Sequence, residues 1–303
     1  MDLLLLFCFV CFLSFLYTTT MSFTLLDGRK AADALLASLK PKVQELDPKL
    51  VVIQVGDDPA SASYITQKLK SCEKIGMRSE HKHLPATTDL PTLMALVDDL
   101  NADADVTGFL IQLPLPEHLQ KHVPQIIRQI DPKKDVDGFC AYNLGKMFLS
   151  TEFEHLPPAT PSGVIALLDY YHIQIEGKDA VVVGHSNTVG KPLSIMLLNR
   201  NATVTTCHIY TKNLARHTRE ADILAVAVGK PGLITADMVK EGAVVVDIGI
   251  TRTKDGLRGD TDFEALKKKV SAISPVPGGV GPMTVASLLR NCVRAKERQL
   301  EAA

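Results

Sequence analysis

The 303-residue sequence has no tryptophan, only 5% aromatic residues and no excess of either charge, with 33 Lys and Arg against 34 Asp and Glu. That balance removes any sequence-wide field to steer polyanions, so nucleic acid is not expected as a partner. Hydrophobic residues make up 46% of the chain, which excludes an extended disordered polymer, and the 19 Gly do not form a collagen-type repeat. Six cysteines are too scattered for a metal site, and no metal is expected. Cys8 and Cys11 fall in a greasy leader without the βαβ context of a redox motif, whereas Cys72, Cys140, Cys207 and Cys292 read as small buried hydrophobes. A reducing, cytoplasmic setting follows as the expectation.

The apolar run Leu3–Tyr17 is short for a spanning helix of roughly 20 residues. Its flanks also lack the basic n-region and small-residue cleavage site of a signal peptide. Residues 1–20 are therefore expected to be an upstream extension, with the working start at Met21 and no membrane partner. The remaining 283 residues carry 33 charges of each sign, and a length of this order suggests about two domains.

From Met21 the pattern alternates. Helical spacing runs over residues 28–46, 61–75, 89–100 and 119–130, and short apolar or β-rich runs cover 50–55, 80–84 and 108–112. Three prolines in six residues make Pro157–Ser162 an expected irregular linker. Beyond it come strand-like runs at 180–183, 202–207, 223–228, 243–247 and 270–274. Unbroken apolar strands alternating with helices imply an α/β fold with a parallel sheet covered on both faces.

Five features could carry chemistry, each with a plainer reading beside it. The strand at 180–183 runs into Gly184-His185-Ser186-Asn187-Thr188-Val189-Gly190, a glycine turn before a helix that suits a pyrophosphate, or is simply a tight βα turn. Tyr64 and Lys68 stand four apart on one helical face, as a ring-and-ammonium pair or as an amphipathic face with a snorkelling lysine. Gln112 ends a buried strand, where α/β sites are built and where satisfied amides also occur. Asp137 follows Lys134-Asp135-Val136 in what is either a site or a solvated turn. Finally, Pro275–Thr284 contains Pro277, Gly278 and Gly279, a rigid loop that allows close approach to a flat ligand or serves as a hinge between domains.

Taken together, these segments resemble the bifunctional methylenetetrahydrofolate dehydrogenase/methenyltetrahydrofolate cyclohydrolase family. The resemblance spans Met21 to Arg298. It rests on Val55-Gly-Asp-Asp-Pro-Ala-Ser61 with Tyr64 and Lys68, Gln112-Leu-Pro-Leu-Pro116, Lys134-Asp-Val-Asp-Gly138, the Gly184–Pro192 turn, Asp247-Ile-Gly-Ile250 and Pro275–Thr284. It implies a catalytic domain (21–158, with a returning helix 282–303) and a Rossmann-type doubly wound domain (159–281) that face each other across a folate cleft. It also implies hydride transfer from 5,10-methylenetetrahydrofolate to the nicotinamide, then hydrolysis of the methenyl cation to 10-formyltetrahydrofolate. By the family's pattern Lys68 is the acid/base, Gln112 orients it, Tyr64 stacks on folate and Asp137 anchors the pterin. Pro277, Gly278 and Gly279 also touch the substrate, while Gly184, His185, Ser186, Val189, Gly190 and Ile250 hold the cofactor.

NADP and a homodimer are implied in the same way. His185 stands where the family commonly has an arginine for the 2′-phosphate, and Ile209 where Ser or Arg is common, so NAD is the alternative cofactor unless Lys212 or a protonated His185 compensates. Ala159 replaces a usual cysteine. A short-chain dehydrogenase also uses Tyr-x-x-x-Lys, but after the glycine turn, whereas Tyr64 precedes Gly184. The remaining rivals are a dehydrogenase lacking the hydrolase step and a non-catalytic NAD(P)-binding scaffold.

Overall fold

The computed structural model describes residues 23–301. The apolar leader, Cys8, Cys11 and the Met21 start lie outside the described residues, as does the very end of the expected last helix.

The described chain begins with a two-residue strand, β1 (Thr24–Leu25), ahead of the first apolar periodicity. Asp27 then caps α1 (Gly28–Leu46), its carboxylate accepting from the amides of Arg29 and Lys30. Next come β2 (Lys49–Val55), α2 (Pro59–Ile75), β3 (Arg78–Leu84), α3 (Leu90–Ala102) and β4 (Gly108–Ile111). Asp58 caps α2 with Pro59 at its first position, where a missing N–H costs nothing. β2 pairs in parallel with β3 and β4, forming a three-stranded sheet in the order β3-β2-β4.

The expected helix over 119–130 is in fact two short ones, α4 (Glu117–Gln120) and α5 (Val123–Gln129). Pro124 lacks the N–H and ring clearance to continue a helix from the turn before it. A helix that the pattern did not reveal, α6 (Ala141–Met147), follows with Cys140 as its cap.

The expected irregular linker is also corrected. Only Pro157 and Pro158 precede α7 (Ala159–Tyr170), and Pro161 lies within its first turn, where backbone donors have no intrahelical partner to lose. β5 (Asp179–Val183), α8 (Gly190–Leu198), β6 (Thr203–Cys207), α9 (Leu214–Thr218), β7 (Ile223–Val226) and β8 (Val244–Asp247) build the second sheet. A small hairpin follows, β9 (Thr251–Thr253) with β10 (Gly256–Arg258), then α10 (Phe263–Leu266) and β11 (Ala272–Ile273). The expected strand at 270–274 is thus shorter than its apolar run.

The six-stranded sheet has the order β1-β11-β8-β7-β5-β6 and is parallel throughout. The chain leaves β5 to one side for β6 and later fills the other side with β7, β8 and β11. This reversal next to β5 opens a crevice beyond the carboxyl ends of β5 and β7. The last helix, α11 (Val280–Glu301), packs on both α7 and α1. Val182, Ala225, Leu193 and Leu288 belong to one core that is continuous with Val52 and Leu110 of the smaller sheet.

Candidate functional site

Three elements bring the first group together. α2 carries Tyr64 and Lys68 one turn apart, β4 delivers Gln112 at its end, and the loop after α5 supplies Asp137. The Lys68 ammonium donates to Gln112 Oε1 at 3.0 Å. Gln112 Nε2 in turn donates to the Leu113 carbonyl at 2.8 Å, which fixes the amide with its oxygen toward the lysine. Lys68 is only 9% exposed, and burial pulls its pKa below the usual lysine value despite the opposing pull of Asp137. Asp137 is half-buried and makes no direct bond to Lys68. Burial raises its carboxyl above the ordinary range, which Asp135 reinforces and Lys68 opposes.

A cleft of about 320 Å³ is lined by Tyr64, Lys68, Gln112 and Asp137 from one wall and by Val189, Ile248, Ile250 and Thr284 from the other. A neighbouring hollow of about 440 Å³ shares Tyr64, Ile248 and Ile250, and is closed by Pro277, Gly278 and Gly279. Tyr64, 37% exposed, stands between the two. The Gly278–Gly279 loop can lie this close because Gly28 has no side chain: a Cβ there would collide with the Gly279 carbonyl, and the Gly28 amide donates to Gly278 O at 2.9 Å.

The glycine turn sits at the sheet's reversal. Gly184 has φ +119°, and a Cβ would strike the Ala227 carbonyl at the end of β7. Ser186 Oγ accepts from the amides of Val189 and Gly190 at the start of α8. Among the described residues no hydrogen bond takes the amides of Asn187 or Thr188, so the turn keeps donors for an anion beside a helix N-terminus. Of the turn, Thr188 and Val189 line the cleft, whereas Gly184, His185, Ser186 and Gly190 do not. The exposed His185 ring lies 4.9 Å from that of His208, at the end of β6.

Sequence reasoning missed Arg29, Gln67, Thr160, Asp247 and Thr284 in these walls. It also missed a buried carboxylate pair behind them. Asp260, 0% exposed, accepts from the consecutive amides of Val228, Gly229 and Lys230 at 2.7, 3.0 and 2.6 Å. Asp247, 3% exposed, accepts from the amides of Asp260 and Thr261 and from the Thr261 hydroxyl. Burial pushes the Asp247 carboxyl up to about 6.

A cleft between two α/β units, with an oriented buried lysine on one wall and a glycine turn at a sheet's switch point on the other, defines a dinucleotide-dependent enzyme with an added proton-transfer group. Known proteins agree. The sequence model for the tetrahydrofolate dehydrogenase/cyclohydrolase catalytic domain matches residues 26–137, and that for the same family's NAD(P)-binding domain matches residues 158–300. The chain is 53% identical over 274 residues to the bifunctional protein FolD of Francisella philomiragia, covering 88% of this chain and 96% of that one. It also superposes on the bifunctional FolD crystal structure from Campylobacter jejuni with a TM-score of 0.88 at 48% identity, covering 91% and 99% of the two chains. The FolD enzyme of Trypanosoma brucei, solved with NADP and an inhibitor, gives a TM-score of 0.87 at 33% identity over 92% and 98%.

The chain belongs to the tetrahydrofolate dehydrogenase/cyclohydrolase family. It is an enzyme with methylenetetrahydrofolate dehydrogenase and methenyltetrahydrofolate cyclohydrolase activities, and it takes NAD(P) in its second domain.

Proposed function

We propose that Lys68 is the proton acceptor and donor of the hydrolase step, held by Gln112, and that both reactions take place in the cleft it shares with Tyr64 and Asp137. The observation that carries this reading is the 3.0 Å bond from the buried Lys68 ammonium to an amide oxygen that is itself fixed.

NADP, when bound, accepts the hydride from the methylene bridge of the folate. The protein's part in that step is geometric: the product cation is stabilised by the folate's own nitrogen lone pairs, so holding the ring and excluding water suffices. Tyr64 offers a ring face at the junction of the two hollows, Asp137 offers a carboxyl to the pterin's donors, and the Pro277-Gly278-Gly279 loop closes the far side. Hydrolysis needs more. Water adds to the methenyl carbon while neutral Lys68 takes one of its protons; the adduct's C–N bond then breaks as its hydroxyl becomes the formyl C=O and gives its proton to solvent, and the Lys68 ammonium returns its proton to the departing nitrogen. Burial keeps the neutral amine accessible for the first half, and the Gln112 oxygen holds the ammonium for the second.

Lys68→Met is expected to reduce hydrolysis of the methenyl cation by at least 10²-fold while folate binding changes far less. A variant that hydrolyses at the wild-type rate would overturn the assignment.

The preferred cofactor is NADP. No acidic side chain follows β6, where Cys207 leads into His208-Ile209-Tyr210, so the ribose diol of NAD has no carboxylate partner there. His185 beside His208, with exposed Lys212 just beyond, offers donors to a 2′-phosphate. The ratio of kcat/KM for NADP and NAD tests this, and a ratio below one refutes it.

The catalytic unit comprises 21–158 with the returning helix, except that β1 joins the cofactor sheet, and the cofactor unit 159–281; the crossing at Pro157–Pro158 supports that division. A homodimer is supported by β6, a five-residue edge strand with unpaired backbone groups along one side. Sedimentation velocity should give twice the chain mass. A cytoplasmic setting is supported by Cys72, Cys140, Cys207 and Cys292, all free and buried. Among the described residues no helix is long and apolar enough to cross a membrane.

A further inference from the structure

A separate cleft lies at the other end of α11. It measures about 130 Å³ and is lined by Lys133, Tyr142, Lys146, His155, Arg298 and Gln299 among others. Thr284 in the active-site wall and Arg298 here are fourteen residues apart on one helix, which separates the two sites by about 20 Å.

The cleft gathers cations that face no carboxylate. Among the described residues Lys133, Lys146 and Arg298 form no ion pair, although Glu297, the residue before Arg298, pairs with Lys42 of α1. The Lys146 ammonium lies 4.8 Å from the Tyr142 ring centroid, so the ring face helps to hold it in place. Arg298 Nη1 lies 3.2 Å from His155 Nδ1, and because a guanidinium only donates, Nδ1 accepts and the imidazole keeps its proton on Nε2. His155 is pushed below the ordinary histidine value by burial first and then by Arg298, Lys146 and Arg294, with Glu152 alone opposing them. Three cations thus act on His155 against one carboxylate.

We propose that this cleft is a second anion site, one that takes a phosphate group. Its volume equals about four water molecules at roughly 30 Å³ each, room for one small oxyanion and not for a ring system. Three mobile or planar cations arriving from the loop before Asp135, from α6 and from α11 match a ligand with several acceptor oxygens and close to two negative charges, which a single carboxylate does not supply. The His155 Nε2–H is one further donor. The ligand is either free phosphate or the phosphate of a small ester, and the chemistry of recognition is the same for both.

Titration calorimetry with inorganic phosphate, and separately with glycerol phosphate, tests the proposal on the enzyme saturated with NADP so that the dinucleotide cleft is filled. Saturable phosphate binding is expected in the presence of NADP. It should weaken at least tenfold in the Lys146→Ala/Arg298→Ala variant, whose dehydrogenase kcat stays at the wild-type value because neither residue touches the active-site cleft. The His155 ring resonances should titrate at higher pH when phosphate is bound. Tighter binding of glycerol phosphate than of phosphate identifies an ester as the natural ligand, and phosphate binding alone identifies the free ion. The proposal is overturned by absence of saturable binding, by equal binding in the double variant, or by complete displacement of phosphate by NADP.

Discussion

Lys68 is useful because its surroundings make it hard to keep charged. Burial disfavours the ammonium, and the nearest hydrogen-bond partner, Gln112 Oε1, is a neutral dipole that holds the proton without trapping it as a carboxylate would. The sign of the pH dependence follows. In the role proposed for Lys68, water attack needs the neutral amine, so hydrolysis is expected to rise with pH through the Lys68 pKa, which lies below the usual lysine value of about 10.4, and then to level off. Gln112→Glu places a negative charge at the same position and favours the ammonium. That variant should move the rising limb of the hydrolase pH profile upward by at least about one unit, a tenfold loss at any pH on the limb, while the dehydrogenase profile stays in place. An unmoved hydrolase limb would show that Gln112 does not tune Lys68.

At the scale of elements, the loops beyond β7 and β8 depend on two buried carboxylates, Asp260 and Asp247. The three amides accepted by Asp260 hold Val228–Lys230 against the Gly184 turn, and the Asp260 backbone amide is gripped in turn by Asp247. Asp260→Asn leaves at least one of those amides facing an NH₂ group, a loss of about 1–3 kcal/mol. Chemical denaturation should show that loss, together with a higher KM for the dinucleotide at nearly unchanged kcat. This clasp was not legible in the sequence, because Gly259-Asp260-Thr261 has the composition of any solvated turn and its partners lie thirteen to thirty-two residues away. The strands were legible for the opposite reason. Val181–Val183, Ile223–Val226 and Val244–Val246 are apolar runs buried on both faces, and that pattern needs no knowledge of neighbours. The Lys68–Gln112 contact falls in between: both residues stood out, but only the pairing of β2 with β4 beneath α2 brings positions 68 and 112 within hydrogen-bond reach. α6 escaped notice since its seven residues include Gly145 and carry too few apolar positions to set a period.

Across the whole molecule, the division into two units holds, but the chain does not respect it at a single point. β1 belongs to the cofactor sheet although it precedes all of the catalytic half, and α11 returns from that sheet to lie on α1 as well as α7. The backbone therefore passes between the walls of the cleft three times. Two passages run side by side, Asp27–Gly28 against Gly278–Gly279, joined by the Gly28 amide, while the Asp27 amide donates to the Tyr171 hydroxyl just past α7. The third is at Pro157–Pro158, where the buried Asn291 side chain donates to the Pro157 carbonyl. Two fixed places on a boundary define a line. Any relative movement of the two walls that stretches neither tether is therefore restricted to a swing about that line.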